Sequence, residues 1–431
     1  MAFSYFVPMK SYLFLLVWLA TLPLFAQSDT TYTLHVDGYD WGAGANRVIL
    51  PLGAGEEPGT ATDYRVEVTR RASCTELPPE QMHHRARVLR AHRSDAHGMP
   101  AGEGDFVTLT LFVAPFEQAT APMQYFFNDK CRGNEWLDYH LHITNTATDR
   151  YWAKEADRAY LPAQPFALDG HYRHADGTAL TYAHFSPKNN TTKRPLLIWL
   201  HGGGEGGTDP SVALMANRAA HYAAPDMQAH FDGAYVLVPQ TPTFWMDRGD
   251  GQYTRGEVDD RYHTALLGLI DDFLNKTPGI DRDRIYLGGC SNGGYMTLKL
   301  LFDRPDFFAA AFPSALAMYS EHIGDEQLRR IKDVPIWFIH SEDDTTTPPD
   351  KTVVPMVKRL RELGGQRIHF SYYDHVIDLT GLFGGDTFHY PGHFSWIYSH
   401  TNHCRLDDDG EPVRVNGQPV TLMAWLAAQR R

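Results

Sequence analysis

The sequence is poor in cysteine and in positive charge. Four cysteines among 431 residues are too few for a small disulfide scaffold, and they are too scattered for a zinc ribbon. Lysine and arginine number 39 against 52 aspartate and glutamate residues, which gives a formal net charge of −13. Without a positive footprint, a nucleic-acid partner is not expected. Hydrophobic residues at 43% and charged residues at 21% also exclude a disordered or collagen-like chain.

Long apolar runs are equally scarce, and the one that occurs lies at the N-terminus. Residues 11–26 are almost entirely apolar and follow the single charge of Lys10. This pattern predicts a signal peptide over residues 1–26, cleaved near Ala26, rather than an uncleaved anchor helix. We therefore expect a secreted or periplasmic protein that has no stable membrane insertion after cleavage.

Export would permit disulfide bonds. Four cysteines allow three pairings, and Cys74–Cys131 is favoured because both residues fall in the same half of the chain. A pair between Cys290 and Cys404 is the further option.

The N-terminal half, from Thr31 to about Ile143, alternates apolar and polar residues. Clusters of Gly, Pro and Asp separate the runs, and no helical periodicity accompanies them. Successive side chains of a strand point to opposite faces, so the pattern predicts short strands and a β-sandwich over residues 27–160. The basic stretch 85–93 is expected to be a solvated loop rather than a binding patch. The alternating runs are Leu34/Val36, Val66/Val68, Leu109/Leu111/Val113 and Leu141/Ile143.

From about residue 161 to 431, short apolar runs alternate with helical stretches. Asp176-Gly177 first predicts a hairpin. Strands that alternate with helices predict a parallel sheet covered by helices on both faces, with its chemistry at the carboxyl ends of the strands. Strands are predicted at residues 196–200, 235–238, 285–287 and 336–339, and helices at residues 262–274 and 295–301.

A glycine-flanked serine follows the third of these predicted strands. Gly289-x-Ser291-x-Gly293 matches the nucleophile-elbow pattern, in which a sharp strand-to-helix turn lifts the serine above the sheet. The helix that follows would place its positive N-terminal dipole beside developing negative charge. The three-residue pattern alone is weak, but its setting between a strand and a helix makes Ser291 a candidate nucleophile.

A glycine-rich loop, residues 201–207, follows the first predicted strand. Acyl transfer needs N–H donors for the oxyanion, one from the residue after the nucleophile and one from a loop of this kind. The predicted donors are the N–H of Asn292 and a backbone N–H at Gly203 or Gly204. A phosphate-binding loop is the alternative, but the Lys-Ser/Thr pair and the dinucleotide spacing are missing.

A serine nucleophile needs a base and a carboxylate that orients it, in the chain order Ser, Asp, His. Asp343 and Asp344 both follow the strand predicted at 336–339, and we favour Asp344. Among the downstream histidines, His393 lies in a turn-like GHFSW segment. A metal site built from His389/His393 and His400/His403 is the alternative, although no HExxH-type acid accompanies either pair.

Residues 166–431 resemble the α/β-hydrolase group that includes polyhydroxybutyrate-depolymerase-like and feruloyl-esterase-like enzymes and predicted secreted peptidases. The resemblance implies Ser291 as nucleophile, Asp344 as acid and His393 as base. Relatives with an N-terminal immunoglobulin-like domain are similar in layout, which supports the sandwich prediction. Phe394 departs from the family's Trp and affects packing rather than the triad. The matching motifs are LHGGGEGG (200–207), GGCSNGGYMT (288–297), HSEDDTTTP (340–348) and GHFSW (392–396).

Two further sequence features lie near the predicted site residues. Cys290 precedes the serine, but its side chain should point into the sheet as a buried, inert thiol. The segment 241–254 either lines the substrate pocket, through Trp245, Met246 and Tyr253, or packs its own aromatic side chains as a surface loop, and we take Trp245 as the candidate substrate-binding residue.

The predicted activity is hydrolysis of carboxylic esters through an acyl-enzyme, without a metal or another cofactor. Esters are favoured because an alcohol leaves more readily than an amine, and the substrate would be a small or polymer-bound ester. A serine peptidase of the same fold is the alternative, and a non-catalytic binding protein is a more distant one. The N-terminal domain is a candidate surface for homo-oligomerisation.

Overall fold

The computed structural model describes residues 30–53, 55–188 and 192–431. The predicted signal peptide, residues 1–26, lies outside these ranges. No helix within them has the length and apolar character needed to cross a membrane.

The first part of the described chain is an all-β domain. Its strands are β1 Thr30–Tyr39, β2 Gly42–Pro51, β3 Tyr64–Arg71, β4 His83–Ala86, β5 Val88–Ser94, β6 Phe106–Leu111, β7 Met123–Phe127, β8 Arg132–Trp136, β9 Asp138–Asn145 and β10 Arg150–Tyr160, and a short helix α1 covers Pro79–Met82. Eight strands form one sheet in the order β4-β3-β9-β10-β1-β2-β6-β5, and β7 pairs with β8 as a separate hairpin. Strands β3 and β5 lie near opposite ends of this order and contact each other, so the sheet folds over itself.

The basic stretch 85–93 is not a loop, contrary to the sequence prediction. It runs through β4 and β5, which are the two edge strands of the sheet. Arg85, Arg87 and Arg90 are exposed there. Charged side chains on edge strands hinder pairing with other chains. The prediction was wrong because a run of charged residues is also typical of a solvated loop.

The second part of the chain confirms the predicted α/β sheet. The strand order is β11-β12-β14-β13-β15-β16-β17-β18, and all neighbouring pairs from β14 onward are parallel. The hairpin predicted at Asp176-Gly177 joins β11 to β12. The strands are β11 Ala167–Arg173, β12 Ala179–Phe185, β13 Arg194–Leu200, β14 Tyr235–Gln240, β15 Ile280–Cys290, β16 Ala310–Ser314, β17 Ile336–Ser341 and β18 Ile368–Tyr373.

Helices cover both faces of this sheet. They are α2 Pro210–Met215, α3 Pro225–Ala229, α4 His263–Lys276, α5 Asn292–Asp303, α6 Asp325–Ile331, α7 Val353–Glu362, α8 Trp396–His400 and α9 Leu422–Ala428. Two small hairpins lie outside the sheet: β19 Val376–Ile377 with β20 His389–Tyr390, and β21 Arg414–Val415 with β22 Gln418–Pro419.

Strand β13 shows how the two faces are filled. Leu196, Ile198 and Leu200 pack into the apolar cluster formed with α4–α7, whereas Leu197 and Trp199 face the opposite side. That second cluster contains α2, α8 and α9, and it continues into the β-domain through residues such as Leu34, Val66 and Trp152. One apolar core therefore spans both domains.

Cys74 and Cys131 form a disulfide bond, as favoured from the sequence. Cys290 and Cys404 are free and buried, so they do not pair with each other. The disulfide lies entirely in the β-domain and ties the start of β8 to the segment after β3.

Candidate active site

Three of the predicted site segments leave the sheet at the same rim. The glycine-rich loop follows β13, the elbow follows β15, and the acid turn follows β17. These strands are close neighbours in the order β13-β15-β16-β17 and run parallel. Parallel strands end at one edge, so the topology gathers the three segments there.

Ser291 occupies a strained turn between β15 and α5. Its φ of 54° and ψ of −110° lie outside the regions that non-glycine residues normally adopt. Its N–H donates to the carbonyl of Ser314, at 3.0 Å, and it caps the N-terminus of α5. Strain of this kind persists only where the surrounding structure enforces it, and it is typical of functional sites.

The two flanking glycines are required by close backbone approach. A Cβ at Gly289 would lie 2.5 Å from the carbonyl oxygen of Gly293. A Cβ at Gly293 would overlap the carbonyl oxygen of Leu200 on β13. The elbow is therefore wedged against the neighbouring strand, and the G-x-S-x-G pattern reflects packing as well as chemistry.

Asp344 and His393 form the predicted acid–imidazole pair. Oδ2 of Asp344 lies 2.9 Å from Nδ1 of His393. The carboxylate is buried and also accepts hydrogen bonds from the N–H groups of Thr346 and Thr347, at 2.8 and 2.9 Å, and from the Thr347 hydroxyl, at 2.6 Å. A carboxylate at Nδ1 favours the tautomer with the proton on Nδ1, which leaves Nε2 free as a base.

The environment of Asp344 keeps it ionised. Burial raises the pKa of this carboxyl, but the hydrogen bonds from His340 and His393 outweigh burial, so its pKa lies well below the usual range. His340 is completely buried, and its Nε2 lies 3.2 Å from Oδ2 of Asp344 and 2.9 Å from the Thr347 carbonyl. Sequence reasoning missed His340, although it stands at the end of β17, four residues before the acid.

Asp343, the competing acid, contacts a different histidine. Its Oδ2 lies 2.9 Å from Nδ1 of His375, and both side chains are well exposed. Its Oδ1 accepts a hydrogen bond from the Ser341 hydroxyl. Asp344, rather than Asp343, is therefore the acid that contacts His393.

The glycine-rich loop lies beside the elbow. A Cβ at Gly203 would lie 2.9 Å from Nδ2 of Asn292, so two of the predicted oxyanion residues are neighbours. Oδ1 of Asn292 accepts a hydrogen bond from the N–H of Met246, at 3.3 Å. His201 secures the start of the loop, because its Nδ1 donates to the Gly202 carbonyl at 2.6 Å and its Nε2 accepts from the Thr241 N–H at 3.3 Å.

Gly204, the third predicted oxyanion residue, contacts the β-domain. Its carbonyl accepts a hydrogen bond from the N–H of Asn134 on β8, at 2.5 Å. The next residue, Glu205, is buried, and its Oε1 accepts from Nδ2 of Asn134 at 2.8 Å. Burial raises the pKa of Glu205 to about 7, although hydrogen bonds from the Gly202 backbone and the Asn134 side chain act in the opposite direction. Asn134 has no sequence motif that points to this contact, because 70 residues separate it from Gly204.

Trp245 does not line the site, contrary to the sequence prediction. The side chain has no exposed surface, and its ring lies 5.0 Å from that of His201, where it supports the loop from behind. Met246 is equally buried. Tyr253 keeps some exposed surface and stacks on Phe244, and its hydroxyl would lie 3.4 Å from a Cβ at Gly203. Large aromatic residues in a loop carry no periodicity that separates buried from exposed positions.

The alternative roles weighed for histidine and cysteine find no matching geometry. Within the described ranges, the groups able to hold a metal ion include none of His389, His393, His400 and His403. His400 is buried against Trp199, and burial holds its pKa well below the usual value. Burial also raises the pKa of the Cys290 thiol far above its usual value, which leaves it unreactive as a nucleophile.

Comparisons with known proteins agree with this architecture. Residues 31–153 match the family "Esterase Ig-like N-terminal domain", and residues 242–328 match the "Prolyl oligopeptidase family". No curated protein matches the chain in sequence.

One solved structure superposes over nearly the whole described fold, and two others give lower scores. A thermostable esterase superposes with a TM-score of 0.70 at 23% identity, over 93% of this chain and 100% of the esterase. An acylaminoacyl peptidase from Pyrococcus horikoshii gives a TM-score of 0.39 at 18% identity, over 59% of this chain and 43% of the peptidase. A ferulic acid esterase gives 0.39 at 17% identity, over 48% of this chain and 90% of the esterase. Together, the family matches and the fold confirm an α/β-hydrolase architecture preceded by an esterase-type immunoglobulin-like domain, and they support a serine hydrolase.

Proposed function

We propose that the protein is a secreted serine hydrolase that cleaves carboxylic esters through Ser291, His393 and Asp344. One observation carries the proposal: the buried Asp344 carboxylate, which contacts the partly buried His393, follows β17 at the rim of the sheet where the strained Ser291 elbow follows β15. A buried carboxylate held against an imidazole and a serine in strained backbone are both features that are enriched at functional sites.

In the proposed mechanism, Nε2 of His393 takes the proton of the Ser291 hydroxyl as Oγ attacks the carbonyl carbon of the ester. Asp344 stabilises the imidazolium. The N–H of Asn292 and a backbone N–H at Gly203 or Gly204 stabilise the oxyanion. The intermediate then expels the alcohol, which takes the proton from His393, and an acyl-enzyme remains. Water, deprotonated by His393, attacks the acyl group and releases the acid and the serine.

Two features support particular parts of the proposal. The Cys74–Cys131 disulfide is typical of oxidising compartments and supports export, together with the apolar segment at the N-terminus. The match of residues 31–153 to an esterase domain family favours an ester substrate, either small or polymer-bound.

A serine peptidase is the second candidate, because residues 242–328 match a peptidase family. The same triad would serve either substrate. The two differ in the leaving group, which is an alcohol for the ester and an amine for the peptide.

The test uses the mature chain and its Ser291→Ala variant. We expect a fluorophosphonate probe to label the wild type and not the variant. Hydrolysis of p-nitrophenyl esters should exceed that of peptide anilides, and the substitution should lower turnover by a factor on the order of 10⁴–10⁶. Dominant anilide cleavage would assign a peptidase instead, and absence of labelling would indicate a non-catalytic binding protein.

A further inference from the structure

The β7–β8 hairpin of the N-terminal domain lies directly against the glycine-rich loop of the catalytic domain. Asn134 on β8 donates to the Gly204 carbonyl twice, from its backbone N–H at 2.5 Å and from Nδ2 at 3.3 Å. Nδ2 also donates to Oε1 of Glu205 at 2.8 Å. One residue of the first domain therefore holds two consecutive residues of the loop that carries the predicted oxyanion donors.

The two backbones approach closely enough to require glycine. Gly133, the residue before Asn134, has a φ of 125°, and a Cβ there would lie 2.7 Å from the Gly204 carbonyl oxygen. Tyr125 lies on β7, the other strand of the hairpin, and its ring would be 2.9 Å from a Cβ at Gly204. The contact is thus tight from both sides, and the loop has little room to shift while the hairpin stays in place.

The hairpin is itself anchored to the rest of the N-terminal domain. Cys131, which immediately precedes β8, forms the disulfide with Cys74. Glu135, the neighbour of Asn134, accepts hydrogen bonds from both the backbone N–H and the hydroxyl of Ser73. Asn134 is therefore presented by a strand that is fixed covalently and by hydrogen bonds within its own domain.

We propose that Asn134 is a positioning residue that fixes the glycine-rich loop for oxyanion stabilisation, so that the N-terminal domain completes the active site. The inference rests on the proposed function, because an oxyanion arises only if the enzyme transfers an acyl group. Preorganised donors stabilise the transition state without reorganisation during the reaction, so a loosened loop lowers kcat rather than substrate binding.

Asn134 also holds the glycine-rich loop through the side chain of Glu205. Its carboxyl is buried beside the loop, and the titratable groups that face it are Cys290, Tyr125 and Tyr253. None of these supplies a positive charge. The carboxyl has hydrogen bonds from the Gly202 backbone and from the side chains of Asn134 and Asn217, and of these the Asn134 amide ties it to the hairpin. Replacing the amide by a carboxylate would set two acids against each other at this point.

The test compares Asn134→Ala and Asn134→Asp with Arg132→Ala. Arg132 lies on the same strand, but it donates to the Gly251 carbonyl, at 3.3 Å, rather than to the glycine-rich loop. The measurements are kcat and KM for a p-nitrophenyl ester, the pH dependence of kcat, and hydrogen exchange of the amides of residues 202–207.

We expect Asn134→Ala to lower kcat by about 10–100-fold with KM changed by less than about threefold, and to speed exchange in the loop. Asn134→Asp should also lower kcat, and the reduction should become larger as pH rises, because the new carboxyl group and that of Glu205 both ionise. Arg132→Ala should stay within about twofold of the wild type in kcat and leave the exchange unchanged.

Two results would overturn the inference in distinguishable ways. An active wild type whose Asn134→Ala variant keeps its kcat and its loop exchange would refute the inference and leave the proposed function standing. A wild type that neither hydrolyses esters or anilides nor reacts with fluorophosphonate would refute the proposed function, and the catalytic role of Asn134 with it.

Discussion

One turn after β17 carries two acid–imidazole pairs that differ in almost every physical respect. Asp344 and His393 are largely buried, and the carboxylate accepts hydrogen bonds from two backbone N–H groups and a hydroxyl. Asp343 and His375 form a contact of the same 2.9 Å length, but both side chains are open to solvent. Distance alone therefore does not distinguish the two pairs, whereas burial and the number of hydrogen-bond donors do.

The sharpest test of this contrast is activity. We expect Asp344→Asn to lower kcat by a factor on the order of 10⁴, because an amide at this position favours the wrong tautomer of His393. Asp343→Asn should change kcat by less than about threefold. Steady-state hydrolysis of a p-nitrophenyl ester measures both, and equal losses would mean that the two pairs are not functionally distinct.

The two pairs are linked through Gly392, the residue before His393. A Cβ there would lie 2.7 Å from the backbone carbonyl carbon of Asp343 and would overlap its side chain. Gly392→Ala should therefore push the histidine away from the acid turn and lower kcat by about 10²-fold. Crystal structures of the variant would check the displacement of His393, and an unmoved ring with full activity would contradict the expectation.

We expect the buried pair to contribute more to the free energy of unfolding than the exposed pair does. Asp344→Asn is expected to lower the free energy of unfolding at pH 7 by about 1–3 kcal/mol, because it removes a buried, charged hydrogen-bond acceptor. The pKa of Asp344 is depressed in the folded state, so its stabilisation is present above the ordinary pKa of 3.8 and is lost as pH falls through the lower folded value.

Urea unfolding of the wild type and of Asp344→Asn between pH 3 and pH 7 measures this effect. The difference in the free energy of unfolding between the two proteins should be constant near neutral pH and should become smaller at acidic pH. Asp343→Asn serves as the exposed control and should stay within about 0.5 kcal/mol of the wild type.

The smallest expected effect is the coupling between Asp343 and His375. An exposed pair contributes about 0.2–1 kcal/mol when its histidine is protonated, and salt screens it. A double-mutant cycle at pH 5.5 should give a coupling in this range that disappears in 1 M NaCl. A larger, salt-resistant coupling would place the exposed pair in the same class as the buried one.

Much of the fold could be predicted because buried parallel strands read as continuous apolar runs. Strands β13, β14, β15 and β17 were predicted in this way. Strand β16 was not, since its sequence AAFPS holds small residues and a proline that argue against a central strand. The edge strands β4 and β5 were missed for the opposite reason, because charge dominates their sequences.

The site divides along a similar line. Ser291, the Asp343–Asp344 turn and the glycine-rich loop carry local motifs, so the sequence alone makes them candidates. His340 and Asn134 act only through contacts that the fold creates, at the end of a buried strand and across a domain boundary. Trp245 was assigned to the pocket because loops give no periodicity from which burial can be predicted.

The apolar core extends from Leu34 and Val66 in the β-domain to α2, α8 and α9 in the α/β domain, and this continuity affects how the protein unfolds. Neither half can lose its packing without exposing the apolar face of the other. Heating should therefore produce a single calorimetric transition in which both halves melt together. The segment 161–431 expressed alone would present a bare apolar surface to water and would tend to aggregate.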